Sequence, residues 1–167
     1  WLWLPGEPST VAILAGGRKA ACGEPAGGGA VGLGALLGQK TAEEALEHGK
    51  RHFRAVAFSA LGDDVFESGS SASRFFVRSR TVALGECDAF VSHSWHDAAA
   101  PKWLVLCDWA MRFEQCHGRE PLLWIDGCCV DQTDVQDKLL GLPIYLSGCT
   151  ELLILAGPTY VGRLWCL

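Results

Sequence analysis

The chain has no run of basic residues, no long apolar segment and no recognisable secretory signal, and each absence narrows its function. Its 167 residues carry a net charge of −5, and neither half has a Lys/Arg stripe that would form a nucleic-acid footprint. The apolar N-terminal stretch, Trp1 to Leu4, is far too short to span a bilayer. We therefore expect a cytoplasmic protein that binds neither nucleic acid nor membrane.

Eight cysteines are many for this length, yet their spacing is not that of a metal centre. Cys128 and Cys129 are adjacent, and adjacent residues rarely reach one ion, so His93 and His96 have no Cys-x-x-Cys motif to complete a zinc site. We interpret the cysteines as reduced, mostly buried thiols, and we predict no metal. A Cys/His metal or redox protein remains an alternative that rests on the cysteines alone.

The N-terminal half, residues 1–84, is predicted to be a poorly defined, Gly-rich extension. Nine glycines between Gly16 and Gly38 favour neither a helix nor a core, and we interpret this tract as a linker. A strand is expected at residues 10–15. One helix is expected at residues 41–48, ended by Gly49.

From residue 85 onward, a short apolar run that ends in polar residues recurs three times. Strands are predicted at residues 88–91, 121–125 and 151–155. A helix at residues 101–116 separates the first two, and shorter helices with a break at Pro143 precede the third. Strands that alternate with helices imply parallel pairing through right-handed crossovers. We therefore predict an α/β domain over residues 85–167, a three-layer sandwich with a parallel sheet whose first strand is central.

Polar side chains follow each predicted strand and should meet at one edge of the sheet, where ligands bind in open α/β folds. The candidate ligand-binding residues are His93, Ser94, Trp95, Asp97, Asp126 and Trp165. Trp95 would offer a stacking face, Asp126 would accept hydrogen bonds from ribose hydroxyls, and His93 would donate to a phosphate. The structural alternatives are that Trp95 packs on Trp103 and that Asp126 only caps the following turn.

Four motifs of the C-terminal half resemble TIR domains. The segments are Asp88-Ala-Phe-Val-Ser-His93, Leu123-Trp-Ile-Asp126, Glu151-Leu-Leu-Ile-Leu155 and Arg163-Leu-Trp-Cys-Leu167, which resemble the first three strands and the start of the W-C-x-x-E-L motif. The segment from Trp124 to Gln132 is also similar to the W-I-D-x-x-C-I-D-Q signature of fungal heterokaryon-incompatibility (HET) domains. The resemblance implies a TIR-like fold with flavodoxin-like strand order over residues 85–167, incomplete after the third strand.

The resemblance also implies an intracellular signalling domain whose full-length parent cleaves NAD, which would be a substrate and not a bound cofactor. The essential Glu of the W-C-x-x-E-L motif would follow Leu167, so we assign no catalytic residue and expect residues 1–167 alone to be inactive. The alternative is a non-catalytic module that assembles by homotypic TIR–TIR association. Since the sequence begins with Trp1, we expect a fragment, with an exposed sheet edge after the third strand.

Overall fold

Six strands form one mixed sheet, and helices pack around it. The computed structural model describes residues 12–17, 42–67, 72–131 and 141–162. The strands are β1 (Ala12–Gly17), β2 (Arg54–Ala57), β3 (Arg80–Thr81), β4 (Cys87–His93), β5 (Leu122–Trp124) and β6 (Cys149–Ala156). The α-helices are α1 (Ala42–His52), α2 (Ala72–Phe76), α3 (Ala99–His117), α4 (Asp126–Cys129) and α5 (Leu142–Ser147). Three 3-10 turns complete these elements: η1 (Phe58–Ala60), η2 (Asp63–Phe66) and η3 (Tyr160–Gly162).

The sheet is parallel at its centre and antiparallel at its edges. The strand order is β1-β6-β4-β5-β2-β3, and β4 pairs in parallel with both β5 and β6. This confirms that the first predicted strand lies between the second and the third. The prediction of a purely parallel sheet is wrong, because β1 pairs antiparallel with β6 and β2 pairs antiparallel with β5. Both of these outer strands come from the part of the chain before residue 85.

Strand β1 covers the edge of β6 that we expected to be exposed. Its register runs from Ala12 opposite Ala156 to Gly17 opposite Glu151, over the length of β1. Pairing satisfies backbone N–H and C=O groups that a free edge would leave open to other chains. The expected bare edge after the third predicted strand is therefore wrong for β6.

Helix α3 follows β4 directly and packs against η2 and β6. Its buried residues are Lys102, Leu106 and Ala110, which lie at intervals of four and so form one face of the helix. It ends at Gly118, whose φ of 69° suits a glycine and whose N–H donates to the Glu114 carbonyl. This helix positions the chain segment that leaves the end of β4.

Two predictions about other helices had different outcomes. Helix α1 does not end at Gly49 but continues to His52. Gly49 is buried, and a Cβ there would lie 2.7 Å from Ile144 Cγ2, so the glycine allows α5 to approach closely. The short helix predicted after the break at Pro143 is confirmed as α5, which carries that proline in its first turn. The helix expected just before it lies outside the described residues.

The core fills the space between the sheet and its helices and includes an aromatic stack. Phe90 lies parallel to Trp124 at 4.3 Å between ring centres, and Tyr145 stacks next at 5.6 Å. Fully burying side chains of this size stabilises the fold by about 1.5–3 kcal/mol each. Within the described residues, no helix combines the length and apolar character needed to cross a bilayer.

Candidate functional site at the carboxyl edge of the sheet

The structure brings three of the predicted site residues into contact where β4 and β5 end. His93 is the last residue of β4, and Asp126 begins α4 just past β5. Because the two strands are parallel neighbours, these residues reach the same edge. The Trp95 indole N–H donates to Asp126 Oδ2 at 3.0 Å, and His93 Nε2 lies 3.4 Å from Asp126 Oδ1.

His93 is buried without a well-formed hydrogen bond. Only 1% of its side chain is exposed, and neither ring nitrogen has a hydrogen-bond partner among the described residues. The 3.4 Å approach of Nε2 to Asp126 is an ion-pair distance and does not meet hydrogen-bond geometry. The rings of Phe66 and Trp95 face the imidazole edge-on, with ring centres at 4.8 and 4.6 Å. His93 therefore combines an ionisable group with an apolar enclosure.

Among the described residues, the ring contact of Trp95 is with His93 and not with Trp103, the partner that the structural alternative gave it. Trp103 instead stacks on Phe58, with ring centres 5.6 Å apart. The Trp95 ring lies against Gly127, where a Cβ would come within 3.0 Å of Trp95 Cη2. The sequence after β5 therefore leaves room for the indole beside Asp126. A stacking role for Trp95 toward a ligand remains a prediction.

Asp126 is held as a carboxylate by its neighbours. Although 44% of its side chain is exposed, desolvation by surrounding atoms raises the pKa of Asp126. His93, the Trp95 indole and the backbone N–H of Gly127 outweigh that effect, so the net pKa is lowered. The Gly127 N–H donates to Asp126 Oδ1 at 2.7 Å, so the predicted turn-capping contact is present. Binding of a ligand by Asp126 is not tested by this contact and remains a prediction.

Ser94 and Asp97 do not join the contacts of His93, Trp95 and Asp126. Both instead bind the loop that follows β6. The Ser94 and Thr159 hydroxyls are 2.8 Å apart, and the Thr159 backbone N–H donates to Asp97 Oδ1 at 2.9 Å. Asp97 is only 6% exposed, and its Oδ2 has no hydrogen-bond partner within the described part of the chain. These contacts fix the third strand end against the first. Trp165, the remaining candidate, lies outside the described residues.

Lys102 is the polar residue of this edge that the sequence analysis missed. It is completely buried, and its Nζ donates to the Ser94 carbonyl at 2.8 Å and lies 5.2 Å from the Phe66 ring centre. Desolvation lowers the pKa of Lys102, and the charges of Asp97 and Asp126 oppose that shift. The available signal was its spacing, because Lys102 falls in register with the buried face of α3.

An open groove of about 830 Å³ borders this cluster. Its wall is formed by Phe66, Glu67, Trp95, His96, Asp97, Ala98 and Ala99. Two of the predicted site residues, Trp95 and Asp97, therefore reach the groove. Aromatic surface with a few polar groups is the usual make-up of a small-molecule site.

The buried thiols offer little reactivity. Cys87, Cys128, Cys129 and Cys149 are buried free cysteines. Burial, with a contribution from Asp126, raises the pKa of Cys128 to about 12, so its thiol stays protonated at neutral pH. In the part of the chain that the structure describes, no three His, Cys, Asp or Glu side chains are grouped to hold a metal ion.

The arrangement as a whole can bind through hydrogen bonds and ring contacts. A partly exposed carboxylate, an imidazole and an indole lie within one contact network at the edge of a parallel strand pair. Comparison of the chain with protein-family models, curated proteins and solved structures finds no match.

Proposed function

We propose that this chain is a TIR/HET-like signalling domain that binds NAD at the carboxyl edge of β4 and β5. The observation that carries the proposal is the meeting of His93, Trp95 and Asp126 where two parallel strands end. The strand order β5-β4-β6, with β4 central, also supports it, because the flavodoxin-like order expected of a TIR-like fold begins in the same way.

The chemistry of the three side chains suits the ribose part of a nucleotide. The Asp126 carboxylate is ionised at neutral pH and accepts hydrogen bonds, and ribose hydroxyls donate them. The Trp95 ring borders the groove and supplies aromatic surface for a base or nicotinamide ring. Binding therefore needs no metal ion and no bound cofactor in this proposal.

Cleavage of NAD is proposed for the full-length parent and is separate from binding. In the family that the motifs resemble, cleavage depends on the Glu of the W-C-x-x-E-L motif, whose first residues resemble Trp165 and Cys166. A carboxylate assists the departure of nicotinamide by stabilising charge at the ribose. For residues 1–167 we therefore propose NAD binding and assign no catalytic residue.

Calorimetric titration of NAD tests the binding proposal. Asp126→Asn should weaken binding by about tenfold or more, because a neutral amide is a poorer acceptor for two hydroxyls than a carboxylate. Asp108→Asn is the matched control, since Asp108 pairs with Arg112 on α3 at 2.6 Å, away from this edge. Absence of saturable binding by the unaltered protein, or equal affinity in both variants, would contradict the proposal.

Homotypic association is the second candidate function, and exposed apolar side chains favour it. Leu104 and Met111 are 68% and 55% exposed. They lie seven residues apart on α3 and therefore on one face of the helix. Sedimentation velocity should show a dimer or larger species that Leu104→Asp dissociates. A monomer at every concentration would remove this candidate and leave NAD binding unaffected.

A further inference from the structure

We propose that Trp95 is a displaceable cover over a site where His93 and Asp126 bind two neighbouring hydroxyl groups of a ligand. This inference deepens the proposed function, because it assumes that a ligand binds at this edge of the sheet. It does not require the ligand to be NAD.

The inference starts from the unpartnered imidazole of His93. Buried polar side chains in proteins nearly always have hydrogen-bond partners, and an exception calls for a specific explanation. His93 is such an exception, with 1% of its side chain exposed and no hydrogen bond to either nitrogen from the described residues. The edges of Phe66 and Trp95 contact its ring but supply no acceptor or strong donor. A ligand hydroxyl would satisfy the nitrogen that the protein leaves open.

Trp95 and Phe66 are the two rings that contact His93 and also line the groove. Of these two, Trp95 is the one that donates a hydrogen bond to Asp126. Its ring contacts the imidazole at 4.6 Å between centres, and the same residue forms part of the groove wall. The groove of about 830 Å³ gives the indole space into which it can turn. Such a site is closed in the unbound protein and is opened when a ligand stabilises the alternative conformation.

The hydrogen bonds exchanged on opening define the class of ligand. Turning Trp95 away removes an indole N–H from Asp126 Oδ2, so the ligand must return a donor to that oxygen. It must also provide a partner for His93, whose role as donor or acceptor depends on its tautomer. A hydroxyl both donates and accepts, so two adjacent hydroxyls serve both residues. A fully ionised phosphate has only acceptor oxygens and cannot donate to Asp126, whereas a hydroxyl can.

Acylation of histidines by diethyl pyrocarbonate, mapped by mass spectrometry, tests whether Trp95 is a cover. His96 is exposed and should react rapidly in every variant, whereas His93 should react slowly in the unaltered protein. A cover that opens a minor fraction of the time predicts that Trp95→Ala raises the His93 rate by about tenfold or more. Trp103→Ala is the matched control, because Trp103 stacks on Phe58 and does not contact His93. An unchanged His93 rate in Trp95→Ala would overturn the inference.

Trp95→Phe keeps the experiment decisive if Trp95→Ala does not fold, which circular dichroism would reveal. Phenylalanine keeps an aromatic ring but has no N–H to donate to Asp126. We expect a His93 rate in Trp95→Phe that is higher than in the unaltered protein. A folded Trp95→Phe protein with an unchanged rate would overturn the proposed cover.

Adenosine and 2′,3′-dideoxyadenosine test the hydroxyl pair directly. In the opened variant, adenosine should protect His93 from acylation, and the dideoxy compound at the same concentration should not. Equal protection by both, or none by either, would overturn the diol site. Protection by adenosine in a protein that does not bind NAD would instead refute the proposed function and leave this inference standing.

Discussion

The polar residues at the two ends of strand β4 differ in how fully they are hydrogen-bonded within the protein. At the amino end, Asp88 accepts two hydrogen bonds from Arg119 at 2.7 Å each and a third from the Leu122 backbone N–H at 2.8 Å. At the carboxyl end, His93 and Asp97 Oδ2 have no hydrogen-bond partner among the described residues. One end therefore closes its hydrogen bonds internally, and the other leaves some of them open.

This difference distinguishes polar side chains that support the fold from polar side chains that are available to a ligand. The Asp88 contacts tie β4 to the start of β5, and both carboxylate oxygens of Asp88 accept hydrogen bonds from within the protein. Unpaired buried groups reduce stability and persist in proteins where function requires them. The carboxyl end is thus the better candidate for a ligand site, although both ends carry charged side chains.

Gly157→Ala should disrupt the contacts at the carboxyl end and cause the largest loss of stability among the variants considered. The added Cβ would collide with the Asp97 carboxyl group, which would lose its bond from the Thr159 N–H. We expect the free energy of unfolding to fall by about 3 kcal/mol, the upper range for overpacking. Gly162→Ala is the control, because nothing lies within 4 Å of a Cβ there. Denaturant unfolding measures both, and equal stability of the two variants would contradict the contact with Asp97.

Asp88→Asn should weaken the amino end without affecting ligand binding. The amide keeps an acceptor for the Leu122 N–H but loses its charge pair with Arg119, which is half-exposed. A loss of about 1.5 kcal/mol in unfolding free energy follows from weaker charge-assisted bonds. A calorimetric NAD titration should give the same affinity as the unaltered protein. A reduced affinity would mean that the two ends of the strand are not independent.

His93→Leu should stabilise the protein, which sharpens the contrast with Asp88. Leucine would remove a buried polar ring that has no hydrogen bond, and its apolar contacts with Phe66 and Trp95 should outweigh the loss of the 3.4 Å approach to Asp126. We expect a gain of about 1 kcal/mol in unfolding free energy, or about 2–4 °C in Tm. His96→Leu, on the exposed side of the same turn, should change stability by less than about 0.5 kcal/mol. Destabilisation by His93→Leu would show that the imidazole is satisfied by contacts that support the fold.

The burial of Lys102 at the carboxyl end predicts a small pH dependence of the unfolding free energy. Desolvation lowers its folded-state pKa below the usual 10.5, so the unfolded chain binds more protons and stability rises with pH. The rise should lie between the lowered pKa and about 10.5, and it should be absent in Lys102→Met. Unfolding free energies of the two proteins, measured at a series of pH values, provide the test. Parallel curves through this window would show that burial does not affect the lysine.

The central strands were predictable, and edge strand β1 overlaps the strand expected at residues 10–15, but the antiparallel pairing of the outer strands was not predicted. Residues 88–91 and 151–155 are short apolar runs ended by polar residues, a local pattern that fixes both the strand and the position of His93. The pairing of β1 with β6 joins segments far apart in sequence, and no local pattern specifies its antiparallel direction. Parallel pairing was extrapolated from helix–strand alternation that holds only after residue 85.

The sequence predicted several residues of the site, but not the contacts that these residues make. Strand ends alone identified Trp95 and Asp126, but their hydrogen bond depends on side-chain packing that a strand pattern does not contain. Lys102 was missed because a lysine in a helix is usually exposed to solvent. Here Lys102 lies on the buried face of α3 and is itself fully buried. Ser94 and Asp97 bind Thr159, a contact that needs the register of β4 with β6.

The most direct test of the carboxyl-edge site is an NMR titration of NAD into protein labelled with ¹⁵N in histidine and tryptophan side chains. We predict saturable shifts of the His93 ring and the Trp95 indole signals, with one shared dissociation constant. The rings of His48, His52 and His117 lie on α1 and at the end of α3 and should not move. Unmoved His93 and Trp95 signals at saturating NAD, or equal shifts at all histidines, would contradict a ligand site at this edge.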